Sequence, residues 1–159
     1  MIPTGAGFLQ GLVDTRLVFP DLKGASLEAI LGEMAERVAA AGLVRDPEDL
    51  IRRLLERERL GCTGLGGGVA IPHCKLKEID DVVLAIGVCS AGVDFHASDG
   101  VPVSLIFLTL SPADAPALHL QALARISRVL RMPGMADSLR QAGSAEGIAE
   151  KLCEAEAGA

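Results

Sequence analysis

Three histidines are the side chains of this sequence best suited to reversible chemistry near neutral pH. They are His73, His96 and His119; imidazole is the one group whose ordinary pKa lies close to neutrality. The fixed φ of Pro72 predicts that the ring of His73 is presented at a strand end. His119 lies in the first turn of a predicted helix, where unpaired N–H groups favour negative charge. Two imidazoles beside a helix N-terminus would suit a transferable phosphoryl group, although a structural role is commoner for a single histidine.

The most unusual segment covers residues 61–75, GCTGLGGGVAIPHCK, with five glycines among its first eight residues. Such a density is costly in chain entropy and predicts positive φ angles or a close approach by another group. A Walker phosphate loop is excluded because Gly67 stands where the lysine is required. A dinucleotide-binding fingerprint is excluded because Val69 stands at its third glycine and the segment follows a predicted helix. A glycine-rich connection without a ligand remains an alternative.

Two other groups of residues are weaker candidates for a functional site. A zinc site formed by His73, Cys74, His96 and His119 would lack the usual ligand spacing. A nucleophilic Cys–His pair could use Cys62 or Cys74, but Cys74 is adjacent to His73, and adjacent side chains diverge on extended backbone. The arginines at 52, 53, 57 and 59 alternate with glutamates, which is typical of a solvated helix face of mixed charge.

The composition predicts one globular domain spanning residues 1–159. Half of the residues are hydrophobic, 23% are charged and the mean hydropathy is +0.38, which excludes a disordered chain. The net charge of −6 and the absence of Trp and Tyr argue against nucleic acid and anionic membranes as partners. Charge-free runs reach at most 14 residues, fewer than the roughly 18 of a membrane helix, and the N-terminus lacks the basic region of a signal peptide. The four scattered cysteines suit reduced thiols, and we expect a cytoplasmic protein.

The order of the predicted elements, two helices, three strands and three more helices, places these residues in an α/β fold with a single mixed β-sheet flanked by helices on both faces. A Ser26 cap and a 3.6-residue apolar period predict a helix that Gly42 ends, and Asp46-Pro47 predicts the start of a helix that Gly61 ends. Strands are predicted over 69–71, 82–89 and 101–110, with a short apolar piece at 17–19; helices are predicted over 117–130, 135–141 and 145–154. The two long apolar strands indicate a sheet covered on both faces. The last residues, AEAGA, are expected to fray.

Residues 57–75, RERLGCTGLGGGVAIPHCK, resemble the active-site signature of IIA components of the phosphoenolpyruvate-dependent sugar phosphotransferase system, of the fructose, mannitol and nitrogen-regulatory type. Residues 118–130, LHLQALARISRVL, are similar to the family helix that carries a second histidine, and the order of elements fits from about residue 12 to residue 153. The resemblance implies the family's single mixed sheet with flanking helices, and neither a metal nor an organic cofactor.

The resemblance also implies roles for individual residues. His73 matches the residue phosphorylated by the histidine phosphocarrier HPr or a nitrogen-type variant of it. His119 matches the second active-site histidine, which holds the phosphoryl oxygens, and Arg57 matches an arginine near the site. Thr63 and the backbone of Gly64, Gly66 and Gly68 match the loop that shapes the site.

The chain departs from the family pattern at Cys62, Gly67 and Cys74. Cys74 could make the site sensitive to oxidation if its thiolate is stabilised. His96 matches no functional residue of the family, and a structural or exposed role is expected for it.

Three functions follow as alternatives. The protein passes the phosphoryl group to the IIB domain of a sugar permease, or its phosphorylation state is read by regulatory target proteins, or it is a binding domain that has lost the chemistry. The absence of a fused IIB, IIC or HPr-like segment leans slightly toward regulation. We expect the surface around His73 to be apolar with a polar rim, because transient docking of partners needs such a surface.

Overall fold

A six-stranded mixed sheet forms the centre of the structure, which is a computed structural model that describes residues 7–158. Residues 1–6 and 159 lie outside the described residues, so the expectation of frayed ends is not addressed there. The helices are α1 (Phe8–Leu12), α2 (Leu27–Ala40), α3 (Pro47–Leu60), α4 (Pro116–Leu130), α5 (Met135–Gln141) and α6 (Ala145–Ala157), with a short 3-10 helix at Thr15–Leu17. The strands are β1 (Val18–Phe19), β2 (Gly64–Gly66), β3 (Val69–Ala70), β4 (His73–Leu76), β5 (Val83–Val93) and β6 (Val103–Pro112).

Strand β6 organises the sheet, whose order is β1-β5-β6-β3-β2. It pairs antiparallel with β5 on one side and parallel with both β3 and β4 on the other. Strands β3 and β4 are thus two parts of one interrupted strand, and Pro72 lies at the interruption. The pairing continues across it, because the Thr109 N–H donates to the Pro72 carbonyl over 2.9 Å. The prediction of a mixed sheet is confirmed.

Helices cover both faces of the sheet, as the long apolar strands predicted. Along β6, Ile106 and Leu108 belong to one buried cluster with helices α2 and α3, whereas Leu105 and Phe107 belong to a second cluster with α1, α4, α5 and α6. Successive strand side chains point to opposite faces of the sheet, so the side chains on both faces must be apolar. His73 and Thr109 are register partners at the end of β6 near α4.

The helix ends follow the local signals in the sequence. The Ser26 hydroxyl accepts the Ala29 N–H and the Asp46 carboxylate accepts the Asp49 N–H, each over 3.1 Å. Such N-caps satisfy donors that the helix itself cannot pair. Gly42 follows the end of α2 with a φ of 83°, which is the left-handed conformation that glycine adopts without strain.

Four elements were not predicted, namely α1, the 3-10 helix at Thr15–Leu17, β2 and β4. Each is short, and its pattern is obscured by glycine or by polar residues. The expectation of a frayed AEAGA tail is wrong for the described residues, because α6 continues to Ala157 and buries Ala155 and Glu156. The Glu156 carboxylate accepts the N–H groups of Gly7 and Leu9 over 2.9 Å and so fixes the carboxyl end of the chain to α1.

Candidate functional site

The backbone on either side of Pro72 fixes the position of the His73 ring. His73 opens β4, and its half-buried ring places Nδ1 2.7 Å from the carbonyl oxygen of Ile71. A carbonyl oxygen only accepts hydrogen bonds, so Nδ1 carries the proton in this contact. In the neutral ring, Nε2 then holds the lone pair. This tautomer gives His73 one defined nucleophilic atom.

The surroundings of His73 favour the neutral ring. Burial lowers the pKa of His73 below its ordinary value of 6.5, and the positive charge of Arg57 lowers it further. The hydrogen bond to Ile71 and the negative charge of Glu58 act in the opposite direction, but the net direction is downward. A neutral imidazole has a free lone pair, so this environment favours the form of His73 that is capable of nucleophilic attack.

His119 lies beside His73, with the two ring centroids 5.4 Å apart and the ring planes inclined by 51°. It occupies the first turn of α4, which begins at Pro116 and has no side-chain cap. Burial lowers the pKa of His119, and the nearby charges of His73, Lys75 and Arg57 lower it further. The structure therefore brings together the two histidines that the sequence places 46 positions apart.

Arg57 lies in the last turn of α3, and its guanidinium Nη1 donates to the Gly61 carbonyl over 3.0 Å. Its positive charge lowers the pKa of both His73 and His119, which places it within electrostatic reach of the two rings. A cation there is suited to stabilising the charge of a phosphoryl group.

Thr63 connects α3 to the strand that precedes His73. It is buried, and the Glu58 carboxylate accepts both its backbone N–H, over 3.2 Å, and its hydroxyl. The Thr63 carbonyl in turn accepts the Ile71 N–H over 3.0 Å. The contacts thus lead from Glu58 through Thr63 to Ile71, which holds the ring of His73.

The glycines after Thr63 build a tight β-hairpin. Gly66, Gly67 and Gly68 have φ angles of 87°, 66° and 81°. The Gly67 N–H donates to Asp99 over 2.8 Å, and the Gly67 carbonyl accepts from Arg140 over 2.6 Å. The five residue steps from Gly68 to His73 follow β6 and correspond to about 16 Å, at roughly 3.3 Å of rise per step.

The hairpin glycines therefore differ in their relation to the histidines. Gly64 pairs with Ala70, close to Thr63 and Ile71. Gly66 and Gly68 lie at the turn, where an added Cβ would contact Asp99, Arg140 and Pro102. The structure places these two glycines against the support of the hairpin and not beside the rings.

The remaining cysteine and histidine predictions have mixed outcomes. The conditional prediction that Cys74 is oxidation-sensitive is not supported, because burial raises the pKa of its thiol to about 12 and leaves no stabilised thiolate. Cys74 packs against the core cluster below α2 and α3, whereas His73 faces His119. His96 is exposed, as expected, with a φ of 55°. All four cysteines are free thiols.

Sequence reasoning missed two residues of this region, Ser111 and Glu58. The Ser111 hydroxyl is fully buried and lies 2.7 Å from Nδ1 of His119. Its signal was a serine within the apolar run of β6, two positions after Thr109 and on the same face of the sheet. Glu58 was assigned to a mixed-charge helix face, because the sequence does not show that α3 ends against Thr63.

The histidine site is suited to nucleophilic chemistry. It combines the neutral ring of His73, the second imidazole of His119 and the positive charge of Arg57. Across residues 7–158, no group of three or more His, Cys, Asp or Glu side chains is arranged to hold a metal ion. In the same range, none of the helices has both the length and the apolar character required to cross a membrane.

Known proteins are similar to this chain in sequence and in fold. The family model described as phosphoenolpyruvate-dependent sugar phosphotransferase system, EIIA 2, matches residues 12–154. A nitrogen regulatory protein of Bradyrhizobium diazoefficiens is 39% identical over 140 residues, which cover 88% of this chain and 91% of that protein. A fructose-specific EIIA component of Haloferax volcanii is 33% identical over 130 residues, which cover 82% and 84%. The crystal structure of the nitrogen regulatory protein IIA-Ntr from Neisseria meningitidis matches with a TM-score of 0.82 and 31% identity, covering 87% and 94%.

Proposed function

The chain belongs to the EIIA 2 family of the phosphoenolpyruvate-dependent sugar phosphotransferase system, and from this premise we propose that it carries a phosphoryl group on His73. The group is accepted from HPr or a nitrogen-type variant of HPr. The observation that supports this assignment most directly is the hydrogen bond from His73 Nδ1 to the Ile71 carbonyl, beside His119. It leaves Nε2 as the atom that accepts the group.

The proposed transfer is a displacement at phosphorus. The lone pair of His73 Nε2 forms the new N–P bond while the N–P bond to the imidazole of the carrier breaks, and the carrier nitrogen retains that electron pair. The three phosphoryl oxygens move with phosphorus. His119 and Arg57 lie where they can stabilise the charge on these oxygens, and Thr63 holds the backbone that positions His73. No step requires a metal or an organic cofactor.

Two exposed leucines support a docking role for this face. Leu60 ends α3 and Leu120 directly follows His119, and their exposed fractions are 85% and 68%. Exposed apolar side chains beside charged groups such as Arg57 are typical of interfaces. We propose that HPr and the receiving protein dock here in turn, in the cytoplasm.

The destination of the group has two candidates. Transfer to a IIB domain for sugar uptake is the first, and it is supported by the similarity to a fructose-specific EIIA component. Control of regulatory target proteins is the second, and it is supported by the similarity to nitrogen regulatory proteins in sequence and structure. Both depend on the same phosphorylated histidine.

Intact mass spectrometry tests the carrier function. The purified chain is incubated with phosphoenolpyruvate, enzyme I and either HPr or its nitrogen-type variant, at neutral to basic pH to preserve phosphohistidine. We expect one added phosphoryl group on the wild type and none on His73→Ala. His96→Asn is the matched control, because it removes an exposed histidine and because asparagine tolerates its left-handed φ. Equal labelling of His73→Ala and the wild type would contradict the site assignment.

The labelled protein then distinguishes the destinations. Loss of the added mass on mixing with a fructose-type IIB domain would support transport. Retention of the mass, together with a partner that binds only one phosphorylation state, would support regulation. Failure of every carrier to label the wild type would contradict the proposed function.

A further inference from the structure

The buried hydroxyl of Ser111 makes a hydrogen-bonding contact with a histidine on a different element of the fold. Ser111 is fully buried in β6, and its Oγ lies 2.7 Å from Nδ1 of His119 on the facing helix α4. Within residues 7–158, this imidazole nitrogen is the hydrogen-bond partner of the Ser111 side chain. The contact joins the central strand of the sheet to the second histidine of the site.

The direction of this hydrogen bond follows from the burial of the hydroxyl. If His119 Nδ1 donated to Ser111, the hydroxyl proton would need a second acceptor, and a buried unsatisfied donor is strongly disfavoured. The arrangement that satisfies both groups has the Ser111 O–H donating to Nδ1. Neutral His119 then carries its proton on Nε2, at the opposite edge of the ring.

We infer that Ser111 is a positioning residue that holds His119 with Nε2 as a hydrogen-bond donor toward the phosphoryl group on His73. The inference rests on the proposed function, and it assigns to this chain's own β6 a role in transfer. An Nε2–H donor can bind a phosphoryl oxygen, whereas an Nε2 lone pair would repel it. Ser111 acts only through His119.

The geometry of the sheet explains why a strand residue can do this. His73 is paired in register with Thr109, and Ser111 lies two residues further along β6 on the same face. Helix α4 packs over that face. Strand β6 therefore fixes the position of His73 along the sheet through its pairing with β4. It also fixes the tautomer of His119 through the Ser111 hydroxyl.

Nitrogen-15 NMR of the histidine rings tests the direction of the bond without any phosphoryl transfer. In the unphosphorylated wild type we expect the neutral His119 ring to be protonated on Nε2, with Nδ1 accepting. Ser111→Ala should shift the His119 ring resonances, whereas Ser104→Ala should leave them unchanged. Ser104 is the matched control because its hydroxyl is also on β6 but bonds Arg140. A wild-type ring protonated on Nδ1 would overturn the inference.

The kinetics of phosphoryl transfer test whether the Ser111 hydroxyl contributes to the reaction. We expect Ser111→Ala to slow labelling from phosphorylated carrier by about three- to tenfold, the range that the net contribution of one hydrogen bond supports. His119→Ala should slow it more, by roughly 100-fold or more, as for the loss of one donor to a transition-state oxygen. In the His119→Ala background, Ser111→Ala should add no further slowing.

The outcomes of these experiments distinguish the positioning role of Ser111 from the carrier function of the protein. A wild type that labels normally while Ser111→Ala labels at the same rate would overturn the role of Ser111 and leave the carrier function standing. An additive effect of Ser111→Ala in the His119→Ala background would also overturn it, because it would show an action independent of His119. A wild type that no carrier labels would instead contradict the carrier function, while the ring resonances still report the hydrogen bond.

Discussion

The Nδ1 atom of His73 lies 2.7 Å from the carbonyl oxygen of Ile71, two residues earlier in the chain. Pro72 lies between the two residues, at the interruption between β3 and β4. The contact determines which nitrogen of His73 is protonated.

The first prediction concerns pH. Because burial lowers the pKa of His73 and of His119 below 6.5, we expect labelling to decrease with falling pH as His73 becomes protonated, with a midpoint below pH 6.5. The unfolded chain binds these protons more readily, so the free energy of unfolding should decrease as the pH falls from 6.5 through the lowered values. Proton NMR titration of the rings and urea unfolding measure the two effects. A ring of His73 that titrates above 6.5 would contradict this account.

The second prediction concerns two adjacent charges with opposite effects. Arg57 lowers the pKa of both histidines and Glu58 raises that of His73. Arg57→Gln should therefore raise both values, and Glu58→Gln should lower the value of His73. Arg59→Gln is the control, since it removes an exposed positive charge from the same turn. NMR titration measures the pKa values of the two rings. A shift of the His73 pKa in the same direction in Arg57→Gln and Glu58→Gln would refute the proposed placement of the charges.

The third prediction concerns the hairpin turn. Gly67→Ala should cost about 1–2 kcal/mol of unfolding free energy, because its φ of 66° is unfavourable for a residue with a Cβ. Gly68→Ala should cost about 1–3 kcal/mol more. Its Cβ would lie 2.8 Å from Nη2 of Arg140 and 3.0 Å from the Pro102 carbonyl, whereas nothing lies within 4 Å of a Cβ at Gly67. Urea unfolding of both variants measures the difference, and equal losses would show that the turn has room at both positions.

The fourth prediction concerns the contact between the two ends of the fold. Glu156→Ala should lower the free energy of unfolding by about 1–3 kcal/mol, because it leaves the Gly7 and Leu9 N–H groups without their acceptor. Glu154→Ala removes an exposed carboxylate from the same helix and should change stability by less than about 0.5 kcal/mol. Urea unfolding compares the two. Similar values for both variants would mean that the Glu156 contact contributes nothing to stability.

Local signals in the sequence were sufficient for most helices and for the type of sheet. The caps at Ser26 and Asp46 act through their own neighbouring N–H groups, so a short window of sequence contains the whole interaction. The apolar runs of β5 and β6 indicated a sheet covered on both faces, since both side-chain parities are buried there. The motif around His73 and the helix of His119 indicated the family.

The parts that were missed depend on partners distant in the chain. Helix α1 is five residues long and contains a glycine, and it is capped by Glu156, 147 positions beyond Leu9. Strand β4 has little apolar pattern, and it forms because β6 offers it a parallel edge. Such elements are stabilised by tertiary contacts and not by their own propensities.

By itself, the sequence determined the residue types of the site, the order of the longer helices and strands, and the family, because these reside in composition, periodicity and motif. Only the tertiary structure decided that the His73 and His119 rings meet at 5.4 Å, that Ile71 and Ser111 hold one Nδ1 atom each, and that burial lowers both pKa values. The reason is physical. Nucleophilicity and tautomer depend on distances and desolvation, and these exist only after α4 packs on the face of the sheet that carries His73.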